Sequence, residues 1–284
     1  MGKIRIVTDS TGDIPLQVRE ELGIEMVPLK VLFGEETYLD AVTIKSEQFY
    51  EKLASSSALP TTSQPSPVEF QELYERILQE DPEAVIISIH LSAALSGTYQ
   101  SAIIAQSMLD GDPDVTIIDS RSASYGFGVR VVAAARMAQA GESKEAILAE
   151  IERLERETDL FFLVDTLEYL QKGGRIGKAS ALIGSILNIK PILSLEKDGT
   201  VHSVDKVRGT KKAMNRITDL LEQRFSKDPV GMTIAWTQGE DVAMELSELL
   251  KSRLNVQTVN YTRIGAVIGT HVGPGTSAVF MYRV

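Results

Sequence analysis

Short apolar runs rich in valine and isoleucine alternate with longer segments of helical period through the first half of the chain. The clearest runs are residues 4–7, 84–89 and 115–118. Runs of this length and composition are typical of strands buried on both faces. Because strands that alternate with helices usually form a parallel sheet covered by those helices, this half of the chain is predicted to be an α/β layer structure.

Helix signals fill the segments between these runs. Ser66 can cap the first free amides of a helix, Pro67 suits its first turn, and Glu69 can bond back to the cap. Further helices are predicted to begin near Pro15 and to cover residues 98–109, 125–140 and 144–157.

The pattern changes after residue 158. A strand is predicted within 161–167, and strands 189–195 and 201–207 flank Lys197-Asp198-Gly199, which is a hairpin signal. The remaining predicted elements are helix 210–225, strand 231–236, helix 240–253 and strands 256–261 and 277–283. We therefore predict an N-terminal α/β domain at 1–158 and a C-terminal α+β domain at 159–284.

The composition excludes several classes of function. Of 284 residues, 29 are basic and 39 acidic, and a net charge of −10 disfavours binding to nucleic acid or to an anionic bilayer. The chain has no cysteine and three dispersed histidines, so we expect no metal site and no thiol catalysis. No segment approaches 18 consecutive apolar residues, and the start MGKIRIVTDS lacks a signal-peptide core. We expect a cytoplasmic protein without stable membrane insertion.

The nucleotide and hydrolase motifs that the sequence suggests are incomplete. The segment that begins at Gly126 lacks the third glycine of a dinucleotide fingerprint, and GGRIGKAS lacks the first glycine and the hydroxyl of a phosphate loop. Ala94 replaces the first glycine of a nucleophile elbow around Ser96. We therefore predict no nucleotide cofactor and no catalytic residue.

Hydroxyl groups are concentrated in two segments. Thr62 and Ser63 precede the helix capped by Ser66, while Ser92 and Ser96 lie with Gly97 on the loop that follows strand 84–89. Ligands of open parallel sheets bind at the carboxyl ends of the strands, and helix N-termini offer free amides. Hydroxyls and amides without a nearby cation suit a carboxylate or a phosphate. Capping and turn roles explain the same residues without a ligand.

A histidine and a basic glycine-rich segment are the remaining candidates. In GTHVGPGT two glycines around a proline predict a tight loop with His271 at its start, where it can donate to an anion, shuttle a proton or serve a structural role. Lys172, Arg175 and Lys178 lie on the glycine-rich loop. These cations suit a phosphate or an acidic partner, or simply a solvated loop. We expect His90 and His202 to be structural.

The segments TDSTGD, TTSQPS, HLSAALSGTYQSA, LEYLQKGGRI, NIKPIL, KVRGTKKA and THVGPGT, in this order, resemble the DegV family of bacterial proteins. The resemblance spans nearly the whole chain, and LSGTYQSA, GGRI and HVGPG are its most specific parts. It implies two α/β domains with a long-chain fatty acid buried between them. It also implies a lipid-binding subunit of bacterial fatty acid kinase, whose separate ATP-binding partner forms an acyl phosphate for phospholipid synthesis.

The resemblance also assigns residues. It places Thr62 and Ser63 in the carboxylate-binding region, and Ser92 or Ser96, beside Gly97, as a further hydroxyl. The choice between the two serines stays open, because the second serine that often follows Ser92 in the family is Ala93 here. It implies that His271 lies near the head group. It implies that Arg175 and Arg208 face the kinase partner. The resemblance thus implies a non-catalytic carrier with a fatty acid as its ligand and no metal or cofactor.

Two other functions remain open at this point. One is a serine-dependent esterase or acyltransferase that uses Ser96 with His271. The other is a binder of a polar phosphorylated metabolite, which predicts that no hydrophobic tunnel exists. A fatty-acid carrier instead requires such a tunnel, because burial of the acyl chain contributes about 0.8 kcal/mol per methylene.

Overall fold

The structure, a computed structural model, describes residues 3–184 and 189–284; Asn188, the first residue of NIKPIL, lies outside them. Within these ranges the β-strands are β1 (Ile4–Asp9), β2 (Glu25–Val27), β3 (Lys30–Phe33), β4 (Glu36–Leu39), β5 (Thr61–Ser63), β6 (Val85–His90), β7 (Val115–Asp119), β8 (Asp159–Leu163), β9 (Ile189–Leu195), β10 (Val201–Arg208), β11 (Val230–Trp236), β12 (Val256–Arg263) and β13 (Ser277–Arg283). The α-helices are α1 (Leu16–Leu22), α2 (Ser46–Ser55), α3 (Pro67–Glu80), α4 (Thr98–Ser107), α5 (Tyr125–Gln139), α6 (Lys144–Glu157), α7 (Glu168–Lys172), α8 (Thr210–Phe225), α9 (Asp241–Arg253) and α10 (Ala266–Val272).

The first sheet is parallel throughout, in the order β2-β1-β6-β7. Its strands are rich in β-branched residues and mostly buried, as expected for a sheet covered on both faces. Its neighbouring strands end near Asp9, His90 and Asp119, so their polar ends share one edge. The predicted N-terminal parallel sheet with flanking helices is confirmed.

The capping box predicted before α3 is present. The Ser66 hydroxyl accepts from the amide of Glu69 at 3.3 Å, and the Glu69 carboxylate accepts from the amide of Ser66 at 2.7 Å. These bonds satisfy two amides that the helix leaves free, so the helix begins at the predicted residue.

A small antiparallel sheet, in the order β4-β3-β5, was absent from the sequence prediction. Its strands have three or four residues each, too few for a hydrophobic period to be recognised. β5 pairs Thr62 with Val31 and so fixes the position of the Thr62 side chain.

The second sheet is mixed, in the order β10-β9-β8-β13-β11-β12, with only the pair β11 and β12 parallel. It confirms the predicted hairpin and the C-terminal α+β arrangement. The first strand of this sheet begins at Asp159. Ile89 of the first sheet and Phe280 of the second pack in one hydrophobic cluster, so the two parts share a core. The division into domains at 158/159 stays a prediction.

The segment around His271 is helical, which corrects the predicted loop. His271 lies in the last turn of α10, and the tight turn begins only after it, at Gly273 with φ 76°. The Asp13 carboxylate accepts from the amide of Gly265 at 2.9 Å, and the Asp40 carboxylate accepts from the amide of Ala266 at 3.0 Å. These two buried acids supply acceptors that the local sequence does not contain, and thereby start the helix.

No helix in the described part of the chain is long and apolar enough to cross a membrane.

Candidate functional site

An apolar pocket lies between the two parts of the chain. Fifteen of the twenty-one residues that line it are apolar, and its empty space, mouth included, is about 770 Å³. Leu91 and Leu95 contribute from the N-terminal part, and Phe162 and Phe280 from the second sheet. The interior is therefore a hydrocarbon-like environment, which a polar metabolite would not match.

Thr62 and His271 meet at this pocket. The Thr62 hydroxyl and Nε2 of His271 form a hydrogen bond of 2.8 Å, and both residues line the pocket. Thr62 comes from β5 and His271 from α10, so the small antiparallel sheet and the short helix together build this polar end.

Arg175 supplies a cation at the same place. Its Nε donates to the carbonyl of Leu95 at 3.0 Å and its Nη1 donates to the carbonyl of Gly173 at 2.8 Å. These bonds hold the guanidinium at the pocket wall. The hydroxyl segments were expected to lack a nearby cation, but Arg175 supplies one, because the glycine-rich loop folds back onto the pocket.

His271 is neutral at pH 7 in this environment. Burial, and then the positive charge of Arg175, lower the pKa of His271 to about 4. Its Nδ1 has no hydrogen-bond partner among the described residues. A Cβ at position 173 would overlap this Nδ1 atom, so Gly173 permits the close approach of the loop to the histidine.

The structure separates the two candidate serines. Ser96 lines the pocket, with its hydroxyl 2.9 Å from that of Thr98. Ser92 is fully buried outside the pocket lining, where its hydroxyl donates to the carbonyl of Gly199 at 3.3 Å and accepts from the amide of Ala94 at 3.2 Å. Ser92 thus ties the β9–β10 hairpin to the first sheet, whereas Ser96 is available to a ligand.

The other predicted residues lie outside this polar cluster. Ser63 is exposed and its hydroxyl donates to the carbonyl of Gln64 at 3.3 Å. Gly97 precedes α4, where the Gln64 side chain occupies the space that a Cβ would need. Arg208 is exposed at the end of β10, away from the pocket lining.

Ser124 and Thr276 line the pocket but were not selected as site residues from the sequence. The Ser124 hydroxyl donates to the buried Asp13, and the Thr276 hydroxyl donates to the carbonyl of Val272 at 3.0 Å. Thr276 belongs to the GTHVGPGT segment already singled out, so its motif was a usable signal. Ser124 had none, because its contact with Asp13 is purely tertiary.

The arrangement lacks the geometry of a serine hydrolase. A catalytic histidine uses one ring nitrogen to accept the serine proton and the other to bond an orienting acid. Here Nε2 of His271 bonds Thr62 instead of Ser96, and no carboxylate among the described residues bonds Nδ1.

The described residues also contain no group of three or more histidine, aspartate or glutamate side chains placed to hold a metal ion.

Comparison with known proteins gives matches over the full length. The sequence model of a family described as "Uncharacterised protein, DegV family" matches residues 3–284. A DegV domain-containing protein of Caldanaerobacter subterraneus is 41% identical over 283 residues, which is 99% of each chain. Two solved structures are similar throughout. A DegV family protein from Thermus thermophilus, described by its fatty acid binding, has 39% identity and a TM-score of 0.92, over 99% of this chain and 100% of that one. DegV from Bacillus subtilis, described as a fatty acid binding protein, has 37% identity and a TM-score of 0.88 over 100% of both chains.

Proposed function

This chain belongs to the DegV family, and on that premise we propose that it binds a long-chain fatty acid. The acyl chain occupies the apolar pocket, and the carboxylate lies at the cluster of Thr62, Ser96, Arg175 and His271. One observation carries the proposal: fifteen of the twenty-one lining residues are apolar, and the polar remainder includes the guanidinium of Arg175 and the neutral imidazole of His271 beside the Thr62 hydroxyl. Fatty acid binding by the two solved relatives supports it.

The acyl chain and the carboxylate contribute differently to the free energy of binding. Burial of the chain contributes about 0.8 kcal/mol per methylene and sets most of the affinity. A carboxylate taken out of water needs compensation by donors, each worth about 1.5–3 kcal/mol when one partner is charged. Arg175 adds charge compensation that hydroxyls alone do not give. The head group therefore fixes the orientation of the ligand.

The proposal extends to a kinase partner. The carrier presents the carboxylate to a separate ATP-dependent kinase, which forms an acyl phosphate for phospholipid synthesis in the cytoplasm. Arg208, exposed on a chain of net charge −10, is a candidate contact for an acidic surface of that kinase. The carrier itself performs no chemistry in this scheme. Mixing the chain with a fatty acid, ATP and a cognate kinase should give acyl phosphate, and Arg208→Ala should slow its formation without weakening fatty acid binding.

The first test is mass spectrometry of organic extracts from the purified protein, together with native mass spectrometry of the intact chain. We expect about one fatty acid per chain. Protein that is free of lipid and takes up no added fatty acid would overturn the proposal. Labelling of Ser96 by a fluorophosphonate, with ester turnover, would favour an esterase instead.

A further inference from the structure

A second, polar pocket lies beside the apolar one and has no role in the proposed function. Leu160 and Leu195 line both pockets and form a shared wall. The polar pocket is lined from the N-terminal part by α5 and the end of α6, and from the C-terminal part by the β9–β10 hairpin and α8. Its empty space, mouth included, is about 1510 Å³.

Unpaired buried polar atoms are concentrated on the residues that line this pocket. Seven buried side-chain nitrogen or oxygen atoms of the described residues have no hydrogen-bond partner, and three of them belong to residues that line it. These are Nε of Arg130, Oγ1 of Thr158 and Nδ1 of His202. Because buried polar groups are nearly always paired, three unpaired atoms around one cavity indicate a ligand that pairs them.

Arg130 is the central group. Its side chain is 5% exposed, and its Nη1 donates to the carbonyl of Ser120 at 2.7 Å. The carboxylate of Glu155 lies 4.0 Å from Nη1 and is shared with Arg121 at 3.4 Å. Burial lowers the pKa of Arg130 to about 10. The guanidinium is therefore charged, desolvated and only partly compensated by its protein neighbours.

The charges around the pocket favour an anion. Five lining residues are arginine or lysine and three are aspartate or glutamate, although the whole chain carries a net charge of −10. Each carboxylate already has a cationic neighbour. Glu155 pairs with Arg121 as above, Asp159 lies 3.5 Å from Arg224, and Glu196 lies 3.3 Å from Lys178. Arg121 and Arg224 line the pocket themselves and Lys178 does not, so five lining cations against three carboxylates leave an excess of two positive charges.

We propose that this pocket binds a phosphoryl group, carried by inorganic phosphate or by a phosphomonoester. Nε of Arg130, the hydroxyl of Thr158 and Nδ1 of His202 each donate to a phosphoryl oxygen. Guanidinium groups match phosphate oxygens in geometry as well as charge, and a dianion with three terminal oxygens accepts several such donors at once. The site is separate from the carboxylate cluster, because Thr62, Ser96, Arg175 and His271 line only the apolar pocket.

The test is calorimetric titration of the full chain with inorganic phosphate, and separately with ribose 5-phosphate, at constant ionic strength. We expect saturable binding of at least one of the two at one site per chain. Arg130→Gln should weaken binding at least tenfold, and His202→Leu should weaken it severalfold. Arg136→Gln is the matched control, since Arg136 is an exposed arginine on the same helix outside the pocket. Tighter binding of ribose 5-phosphate identifies a phosphomonoester as the ligand, and equal or tighter binding of phosphate identifies the free anion.

Three results would overturn the proposal. The first is that neither probe binds saturably, and the second is that Arg136→Gln weakens binding as much as Arg130→Gln does. The third is that His202→Leu and a correctly folded Arg130→Gln both bind as tightly as the wild type. Where circular dichroism shows that Arg130→Gln is unfolded, His202→Leu and Thr158→Val decide between the outcomes.

The titration is repeated on protein loaded with oleate. Undiminished phosphate binding supports a separate site, whereas competition would place the phosphate in the apolar pocket and overturn the proposal. Failure of oleate to load would contradict the fatty-acid proposal alone.

Discussion

The hydroxyl of Thr62 lies 2.8 Å from Nε2 of His271, and this contact joins the small antiparallel sheet to α10 at the polar end of the apolar pocket. The pocket has a mostly apolar lining and a cluster of donors in its wall. Such an arrangement fixes the orientation of an amphipathic ligand, because only its polar end can pair with these donors.

Thr62→Val removes the hydroxyl while it keeps the shape of the side chain. We expect fatty acid affinity to fall about ten- to a hundredfold, because a hydrogen bond to a charged group is worth about 1.5–3 kcal/mol. Displacement of a fluorescent fatty acid measures the change. Ser63→Ala is the control, since the Ser63 hydroxyl is exposed and donates to a neighbouring carbonyl. Equal losses in both variants would contradict the assignment.

Ser96→Ala should change fatty acid affinity, whereas Ser92→Ala should change stability. Ser96 lines the pocket, so its substitution should lower fatty acid affinity and leave stability nearly unchanged. Ser92 bonds Gly199, so its substitution should lower the free energy of unfolding by about 1 kcal/mol and leave affinity intact. Urea denaturation and ligand titration of both variants measure the two effects. The reverse pattern would make Ser92 the carboxylate ligand.

Arg175→Gln tests the cation at the pocket. We expect at least a tenfold loss of fatty acid affinity, because the buried carboxylate loses its charged donor. Lys172→Gln is the matched control on the same segment: Lys172 is exposed and paired with Glu168 at 2.6 Å. Binding by Arg175→Gln at the wild-type level, with impaired acyl phosphate formation, would instead show that Arg175 acts on the kinase.

His271 should make the protein less stable in acid. Its pKa falls from 6.5 to about 4 in the folded chain, so between these values the unfolded chain binds the extra proton. The free energy of unfolding therefore decreases as the pH falls from about 7 to 4, by up to about 3 kcal/mol at 1.4 kcal/mol per pKa unit. His271→Gln should lack this contribution. A stability difference between the two proteins that stays constant with pH would refute the assignment.

Asp40 should have the opposite effect on how the free energy of unfolding depends on pH. Burial raises the pKa of Asp40 from 3.8 to about 6, so the folded chain holds the proton more tightly than the unfolded chain. The resulting stability is present below about pH 4 and lost as the pH rises through 6. Asp40→Asn keeps an oxygen acceptor for the amide of Ala266. We expect its stability relative to wild type to rise between pH 4 and 7 by up to about 3 kcal/mol, measured by urea denaturation. A relative stability that falls over this range would mean that the ionised carboxylate is required.

Much of the candidate site was recognisable from sequence segments, but the sequence did not predict which of the selected side chains meet at the pocket. Thr62, Ser96 and His271 were selected from their motifs, and the structure brings all three to one pocket. Arg175 was placed in the basic loop, and its position beside His271 depends on a chain reversal that no local pattern encodes. The separation of Ser92 from Ser96 depends on the packing of the β9–β10 hairpin against the first sheet.

The sequence by itself determined the elements whose signals are local. The helix 144–157 and the helix 210–225 have their predicted bounds, because helical period and caps act over a few neighbouring residues. Only the tertiary structure decided the three-strand sheet, the helical state of the His271 segment and the lining of the pocket. The strands of that sheet are too short to show a period, and α10 begins on the carboxylates of Asp13 and Asp40, more than two hundred residues away. Contacts between residues so distant in the chain form only once the whole core has packed, so no local pattern can specify them.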